Sequence, residues 1–345
     1  MARHRAVRDA GRARRRHWIV AGLAAVLVVV LSATVGGLLG AGRFGGGQPA
    51  DRPTPLATSG SGTSATTADG DHDAAAVPEP KTADDGDDSA TAAAQQSAEA
   101  VKTAAGEART AAVRKALDER LAGYAGTWSV TYIDLESGRE TTVNDRKLVA
   151  ASLVKLYIML TVFDRIEHGA MQDDSTVDAL LTQMITVSSN DAANGLLSRI
   201  GNGDDATAIS TVTDTAHRYG FTSSDELRTL TGMASGNTVE NWTSTRDCAG
   251  FLAQAYAGTL VSKDASARMM TLLLGQTRRS KIPAGVPAGT KVANKTGELA
   301  AVQNDAAVVY GPHPYVLTVM SNDVSADAAG LIADLSAAVW GASQG

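Results

Sequence analysis

The sequence predicts an α/β domain in which a five-stranded sheet is flanked by helices and joined to an all-helical part. Three features carry this expectation. Two β-rich runs, TWSVTYIDL (127 to 135) and RETTVND (139 to 145), are separated by the turn-like ESG and read as a hairpin. A long middle stretch then shows helical rather than alternating periodicity. Three further strand-like runs, GTKVANKTG, VQNDAAVVYG and YVLTVMSND, precede a last helix from Ala326 to Trp340. Two strands, helices, three strands and a closing helix imply one sheet supplied from both ends of the domain.

The middle helices are expected at 152 to 167, 175 to 187, 190 to 200, 205 to 219, 244 to 259 and 264 to 274. Ahead of the hairpin, Ala92 to Leu121 is alanine-rich and helix-prone and leads into the domain as its first helix. The globular part runs from 107 to 345, and no internal repeat interrupts it.

The first 106 residues have a different character. From Trp18 to Gly42 no residue is charged, a length sufficient to cross a hydrocarbon core of roughly 30 Å. Seven arginines precede this run (residues 1 to 17), which predicts a basic cytoplasmic arm, a single membrane span at 18 to 42 and an extracytoplasmic remainder. A cleaved signal sequence with a secreted product is the alternative, but its apolar region would be about 7 to 15 residues, shorter than this one. Residues 43 to about 91 are Gly, Pro, Ala, Thr, Ser and Asp with almost no large aliphatics, so they predict a disordered spacer. Spacer and lead-in helix together fill 43 to 106.

Composition excludes several function classes. The net charge is -6, with no Lys/Arg stripe interleaved with aromatics, so no nucleic-acid partner is expected. The lone Cys248 cannot form an intrachain disulfide and reads as a core side chain on a helix. The six histidines form no ligand pattern, so neither a metal nor another cofactor is expected. A monomer is the expected state.

Within ASLVKLYIML, Ser152 and Lys155 are three residues apart, on one face of a helix that starts near the serine. A serine hydroxyl needs an adjacent base to attack a carbonyl, and a desolvated lysine can lose its proton near neutral pH. The helix start adds free N–H groups that favour developing negative charge. The spacing alone decides nothing. The chain has 25 serines and nine lysines, and such short patterns recur by chance. The competing interpretation has Leu153, Leu156, Tyr157 and Leu160 burying a stripe while Ser152 caps the helix and Lys155 snorkels.

Two distant stretches change the weighing: Ser188-Ser189-Asn190 in MITVSSNDAANGLL, and Lys295-Thr296-Gly297 in GTKVANKTGEL. With these in order after SLVK, the chain resembles the class A β-lactamase and penicillin-binding-protein superfamily, with its SxxK, SxN and KTG elements. DAANGLL, STRDCAGFL and SKIPAGVPAGTKVANKTG also look like the family's surroundings, so the resemblance spans essentially the whole globular part.

The resemblance implies an antiparallel five-stranded sheet and a serine hydrolase acting through an acyl-enzyme. Ser152 would attack an amide carbonyl, Lys155 would take its proton, and Ser188 would relay a proton to the leaving nitrogen. Asn190 would hydrogen-bond the substrate and Lys155. Lys295 and Thr296 would hold the substrate carboxylate, with Gly297 keeping the strand edge clear. The backbone N–H groups of Ser152 and Glu298 would form the oxyanion hole. A Ser-His-Asp triad is not required once Lys155 is available.

Several departures stand out. Ser189 replaces the aspartate of SDN, and the interval between Ser152 and Ser188 is short. No ExxLN loop supplies a water-activating glutamate; Glu226 falls nearest, but no asparagine follows four residues later. No arginine lies on the strand after KTG; Arg278 and Arg279 read as a solvated face, the alternative being that they add positive charge near the carboxylate site. A second Ser-x-Asn, Ser235 to Asn237, lacks the DAAN continuation and reads as loop chemistry. Acylation is therefore predicted more firmly than hydrolysis. The expected substrate is a β-lactam, or alternatively a peptidoglycan D-Ala-D-Ala peptide on an enzyme that deacylates β-lactams slowly. A wall-binding or sensing domain without turnover is the third possibility.

Overall fold

The computed structural model describes residues 87–230 and 239–344. The basic arm, the span expected at 18 to 42, nearly all of the spacer, and Ser235 and Asn237 lie outside the described residues. No described helix is long and apolar enough to cross a membrane.

Helix α1 (Asp87–Leu121) runs unbroken from within the stretch expected to be spacer, because its alanines propagate helix without needing tertiary support. Its close packing begins at Gly106, where an added Cβ would lie 2.0 Å from Ser137 Oγ. Arg109 then donates to Asp134 Oδ2 at 2.7 Å and to Glu136 Oε2 at 2.8 Å, tying the helix to the end of the first strand.

The strands β1 (Thr127–Asp134), β2 (Glu140–Val143), β5 (Lys291–Leu299), β6 (Val302–Tyr310) and β7 (Tyr315–Asn322) form one antiparallel sheet in the order β2-β1-β7-β6-β5. The two ends of the domain thus meet at the β1–β7 pairing. Alternation sorts the side chains between two cores. Val130, Tyr132, Ala307, Val309, Leu317 and Val319 pack with Val113, Leu117 and the residues of α8 (Ala328–Ser343). Ala306, Val308, Val316 and Met320 pack with the helical part. Both faces are covered, so these strands read as near-continuous apolar runs.

The helical part holds α2 (Lys155–Glu167), α3 (Ser175–Thr186), α4 (Asn190–Ile200), α5 (Asp205–Arg218), α6 (Thr245–Ala257) and α7 (Lys263–Leu274). Side-chain caps start α3 at Asp174, α4 at Ser189, α5 at Asp204, α6 at Ser244 and α7 at Ser262. Ser189, the residue that departs from SDN, thereby gains a role: its Oγ accepts from Ala192 N–H at 3.1 Å.

Two features differ from expectation. Helix α2 does not bury a stripe; every residue from Lys155 to Asp164 is buried, because α2 is the central helix, surrounded by its neighbours on all sides. A second, two-stranded sheet joins β3 (Lys147–Val149) to β4 (Trp242–Ser244), strands of three residues that are too short to produce a sequence pattern. Cys248 lies buried on α6.

Candidate active site

Ser152 stands in a 3-10 turn, Ala151–Val154, that runs directly into α2. Three residues per turn eclipse positions i and i+3. Lys155 therefore lies over Ser152, with Nζ 2.9 Å from Oγ. The bland roles are not the ones taken: neither helical start has a side-chain cap, and Lys155 is 0% exposed.

The turn is held from several sides. Asn304 Nδ2 donates to the carbonyls of Val149 and Ala150 at 3.0 and 3.1 Å, and Ala150 N–H donates to Asn241 O at 2.8 Å. Ala151 has φ 46°, a left-handed conformation that costs a residue with a Cβ and persists where its surroundings over-determine it. Edge strand β5 presses on the same turn. A Cβ on Gly297 would lie 2.9 Å from Ala150 O and 3.3 Å from Ala151 Cβ. The missing side chain makes room for the turn that carries Ser152.

Lys155 Nζ has four oxygen neighbours: Ser152 Oγ, Ser188 O at 2.8 Å, Ser188 Oγ at 3.2 Å and Asn190 Oδ1 at 2.7 Å. An ammonium has three protons, so one of these oxygens receives none. Burial, with a smaller push from the Arg278 charge, lowers the lysine to about 8, while Glu226 pulls the other way. Near neutrality the amine is within reach of the free-base form, in which it can accept the Ser152 proton.

Ser188 projects from a left-handed backbone (φ 62°) just before α4. Lys295 Nζ donates to its Oγ at 2.9 Å and to Thr296 O at 2.7 Å. The Ser188 hydroxyl thus bridges two buried lysines. Burial, reinforced by the neighbouring Lys155 charge, holds Lys295 well below the usual lysine range. Ser152, Lys155, Ser188, Asn190 and Lys295 form one hydrogen-bonded group, and Thr296, Gly297 and Glu298 continue from it along β5.

Glu226 sits in the loop between α5 and β4 and is buried. The neighbouring Asp225 pairs its backbone with Trp242, at 2.9 and 3.0 Å. Thr213 Oγ1 accepts from Glu226 N–H and donates to Glu226 O, both at 3.0 Å. Asn241 Nδ2 donates to Glu226 Oε1 and to Arg228 O, each at 3.1 Å, while Asn241 Oδ1 accepts from the N–H groups of Leu227 and Arg228 at 2.8 and 3.0 Å. Oε2 has no hydrogen-bond partner among the described residues. Burial raises the carboxyl to about 8, against opposing pulls from Arg228, Asn241 and Lys155.

Asn241 is the residue that motif reading missed. The amide expected four positions after the glutamate arrives from fifteen positions on, once the loop closes. Asn194, in DAANGLL, contributes similarly by accepting from Leu230 N–H at 2.8 Å.

Arg278 and Arg279 are not simply solvated. Arg279 Nη1 donates to Val292 O at 2.8 Å and Asn294 Oδ1 at 3.2 Å, bracing β5. Arg278 Nη1 donates to Glu298 Oε2 at 2.9 Å.

Comparison with known proteins follows the same lines. A family model described as the beta-lactamase enzyme family matches residues 112–179 and 171–342. Among solved structures, a beta-lactamase from Sphaerobacter thermophilus has 22% identity and a TM-score of 0.59, covering 68% of this chain and 97% of that one. PBP-A has the same identity of 22% and TM-score of 0.59, covering 68% and 96%. A beta-lactamase from Chitinophaga pinensis reaches a TM-score of 0.61 at 22% identity, covering 67% and 98%. These likenesses establish the fold. No curated protein matches the sequence.

Proposed function

The chain belongs to the beta-lactamase enzyme family, and we propose that it is a serine hydrolase that opens β-lactam amides through an acyl-enzyme on Ser152. The contact of the fully buried Lys155, through Nζ, with Oγ of the half-buried Ser152 at 2.9 Å carries this reading. Lys155 takes the Ser152 proton as Oγ attacks the carbonyl carbon, and the N–H groups of Ser152 and Glu298 receive the oxyanion. The C–N bond then breaks, and the leaving nitrogen takes its proton from Ser188, which Lys155 reprotonates. Lys295 and Thr296 hold the substrate carboxylate, and Asn190 its side-chain amide. In the second half, Glu226 in its ionised form takes a proton from water, hydroxide adds to the ester, and Ser152 leaves with a proton restored.

A second reading is a D-Ala-D-Ala peptidase for which β-lactams are slowly released inhibitors. The burial of Glu226 favours it, since a carboxyl raised to about 8 is mostly protonated at neutral pH and a poor base for water. Intact-mass spectrometry of the protein mixed with a penicillin separates the readings. A transient adduct with released product supports the lactamase, a persistent one the peptidase, and none on Ser152 removes both in favour of a wall-binding or sensing role.

We also place the domain outside the cell, on a membrane anchor. The seven arginines and the charge-free run after them support this. Protease added to intact cells would digest an extracytoplasmic domain and spare a cytoplasmic one.

A further inference from the structure

Strand β5 is an edge of its sheet, with β6 as its neighbour, and Gly297 of β5 lies opposite Asn304 of β6. Lys281 Nζ donates to the carbonyl oxygens of both, at 3.2 and 3.0 Å. One ammonium reaches both oxygens only if they point towards each other. Gly297 and Asn304 are therefore a hydrogen-bonded pair, with the Gly297 carbonyl turned inwards to β6. The peptide unit that follows is planar and trans, so the N–H of Glu298 points the opposite way, to the open edge of the sheet. That N–H is the one assigned above to the oxyanion. Lys281 thus holds one end of the amide whose other end would meet the substrate.

The lysine is firmly set. It is 0% exposed, and Glu298 Oε1 lies 3.1 Å from its Nζ, so it grips the side chain of residue 298 as well as the carbonyl of residue 297. Three acceptors match the three protons of an ammonium. Burial works against the charge, and the carboxylates of Asp305 and Glu298 work for it. The next residue fixes the backbone: Ile282 N–H donates to Asp305 Oδ2 at 3.0 Å, and Ile282 O accepts from Ser336 Oγ of α8 at 2.9 Å. Asn304, whose carbonyl meets Lys281, sends its side-chain amide to the carbonyls of Val149 and Ala150 and so holds the turn that presents Ser152 N–H. Both donors of the oxyanion hole are braced from one point on β6.

We propose that Lys281 is a positioning residue of the oxyanion hole: through Gly297 O it fixes and polarises the amide whose N–H, on Glu298, receives the developing oxygen charge. The proposal rests on the acyl-enzyme reading above. A cation at the carbonyl draws electrons through the amide and strengthens its N–H as a donor, because hydrogen bonds in a chain polarise one another. A donor fixed beforehand also needs no reorganisation as the charge appears.

The test uses the full chain, a penicillin labelled with carbon-13 at the lactam carbonyl, and Lys281→Met, which keeps the length of the side chain without its charge or donors. The stretching frequency of the labelled ester carbonyl on Ser152 reports hydrogen bonding in the oxyanion hole. In the variant that infrared band moves to higher frequency, and Ser152 acylation, followed by intact-mass spectrometry, slows about tenfold, less than the loss of a whole donor. Should Lys281→Met fail to fold, Lys281→Gln, which retains a neutral donor, moves the band the same way by less. A merely structural role lowers the melting temperature and leaves the band in place. An unmoved band or an unchanged acylation rate in a folded variant overturns the proposal while leaving the acyl-enzyme intact, and loss of the fold in both variants assigns Lys281 to stability and overturns it too. Absence of a Ser152 adduct in the wild-type protein overturns the acyl-enzyme reading and this inference with it.

Discussion

Lys155 Nζ lies 2.9 Å from Ser152 Oγ because the serine is in a 3-10 turn and the lysine opens the helix that follows it. The same arrangement leaves the lysine without solvent, and its hydrogen-bond partners among the described residues are oxygens of Ser152, Ser188 and Asn190. Replacing it with the similarly long but uncharged Lys155→Met keeps the buried volume and removes the base. Acylation by a penicillin then falls about 10²- to 10⁴-fold, the usual contribution of a positioned base. Circular dichroism confirms an unchanged fold, and normal acylation in a folded variant would require another base.

Acylation depends on pH with a definite sign. Burial lowers Lys155 to about 8, so the fraction of free amine rises through that pH. The acylation rate constant increases from pH 6, passes half its maximum at about 8 and levels off roughly one unit above that. A flat profile over this range, measured with a penicillin whose own charge does not change, would remove Lys155 as the titrating base.

Glu226 has the opposite sign. Its carboxyl is raised by burial to about 8 from an unfolded value of 4.5, so the folded protein keeps a proton that the unfolded chain releases. Stability from this group is full below pH 4.5 and is lost as pH rises towards 8. Glu226→Gln abolishes that dependence, so its melting temperature gains on the wild type between these pH values and the gain levels off above 8. In kinetics the same variant slows release of the acyl group and leaves its formation in place. Unchanged release would take Glu226 out of the reaction.

Asn241 holds the Glu226 carboxyl through one hydrogen bond and the backbone of Leu227 and Arg228 just after it through three more. Asn241→Ala strands the Leu227 and Arg228 N–H groups, the Arg228 carbonyl and Glu226 Oε1, at a cost of about 1–3 kcal/mol in denaturant unfolding. A structural role alone lowers stability; a positioning role also slows deacylation more than acylation, which pre-steady-state kinetics separates.

Gly297→Ala places a methyl 2.9 Å from the Ala150 carbonyl, so the nucleophile turn or β5 shifts. The expected cost is about 1–3 kcal/mol of stability, with slower acylation in the fraction that folds. An alanine variant of full stability and rate would show that the contact relaxes freely.

Much of the fold was legible because each signal is local. Strand alternation, Ser and Asp caps, and the three motifs in chain order are readable without contacts, and the five strands and the helices of the middle stretch lie close to their expected positions. Harder features depend on closure. Asn241 supplies the amide sought next to Glu226 from far along the chain, and β3 and β4 form only because the loop ends meet. The contact of Gly297 with the turn at Ala150 and Ala151 was not legible because that turn lies more than a hundred residues away.

The sequence by itself determined the candidate reacting groups: a serine, two lysines and a second serine in a recognisable order, on elements whose periodicity set their type. Tertiary structure decided what those groups are in chemical terms. Enclosing α2 on all sides removed water from Lys155 and brought it towards its free-base form. Closing the loop on Asn241 buried Glu226, and folding β5 against the 3-10 turn put Glu298 between Arg278 and Lys281. Desolvation and charge proximity act between residues distant in sequence, so they exist only once the chain is packed.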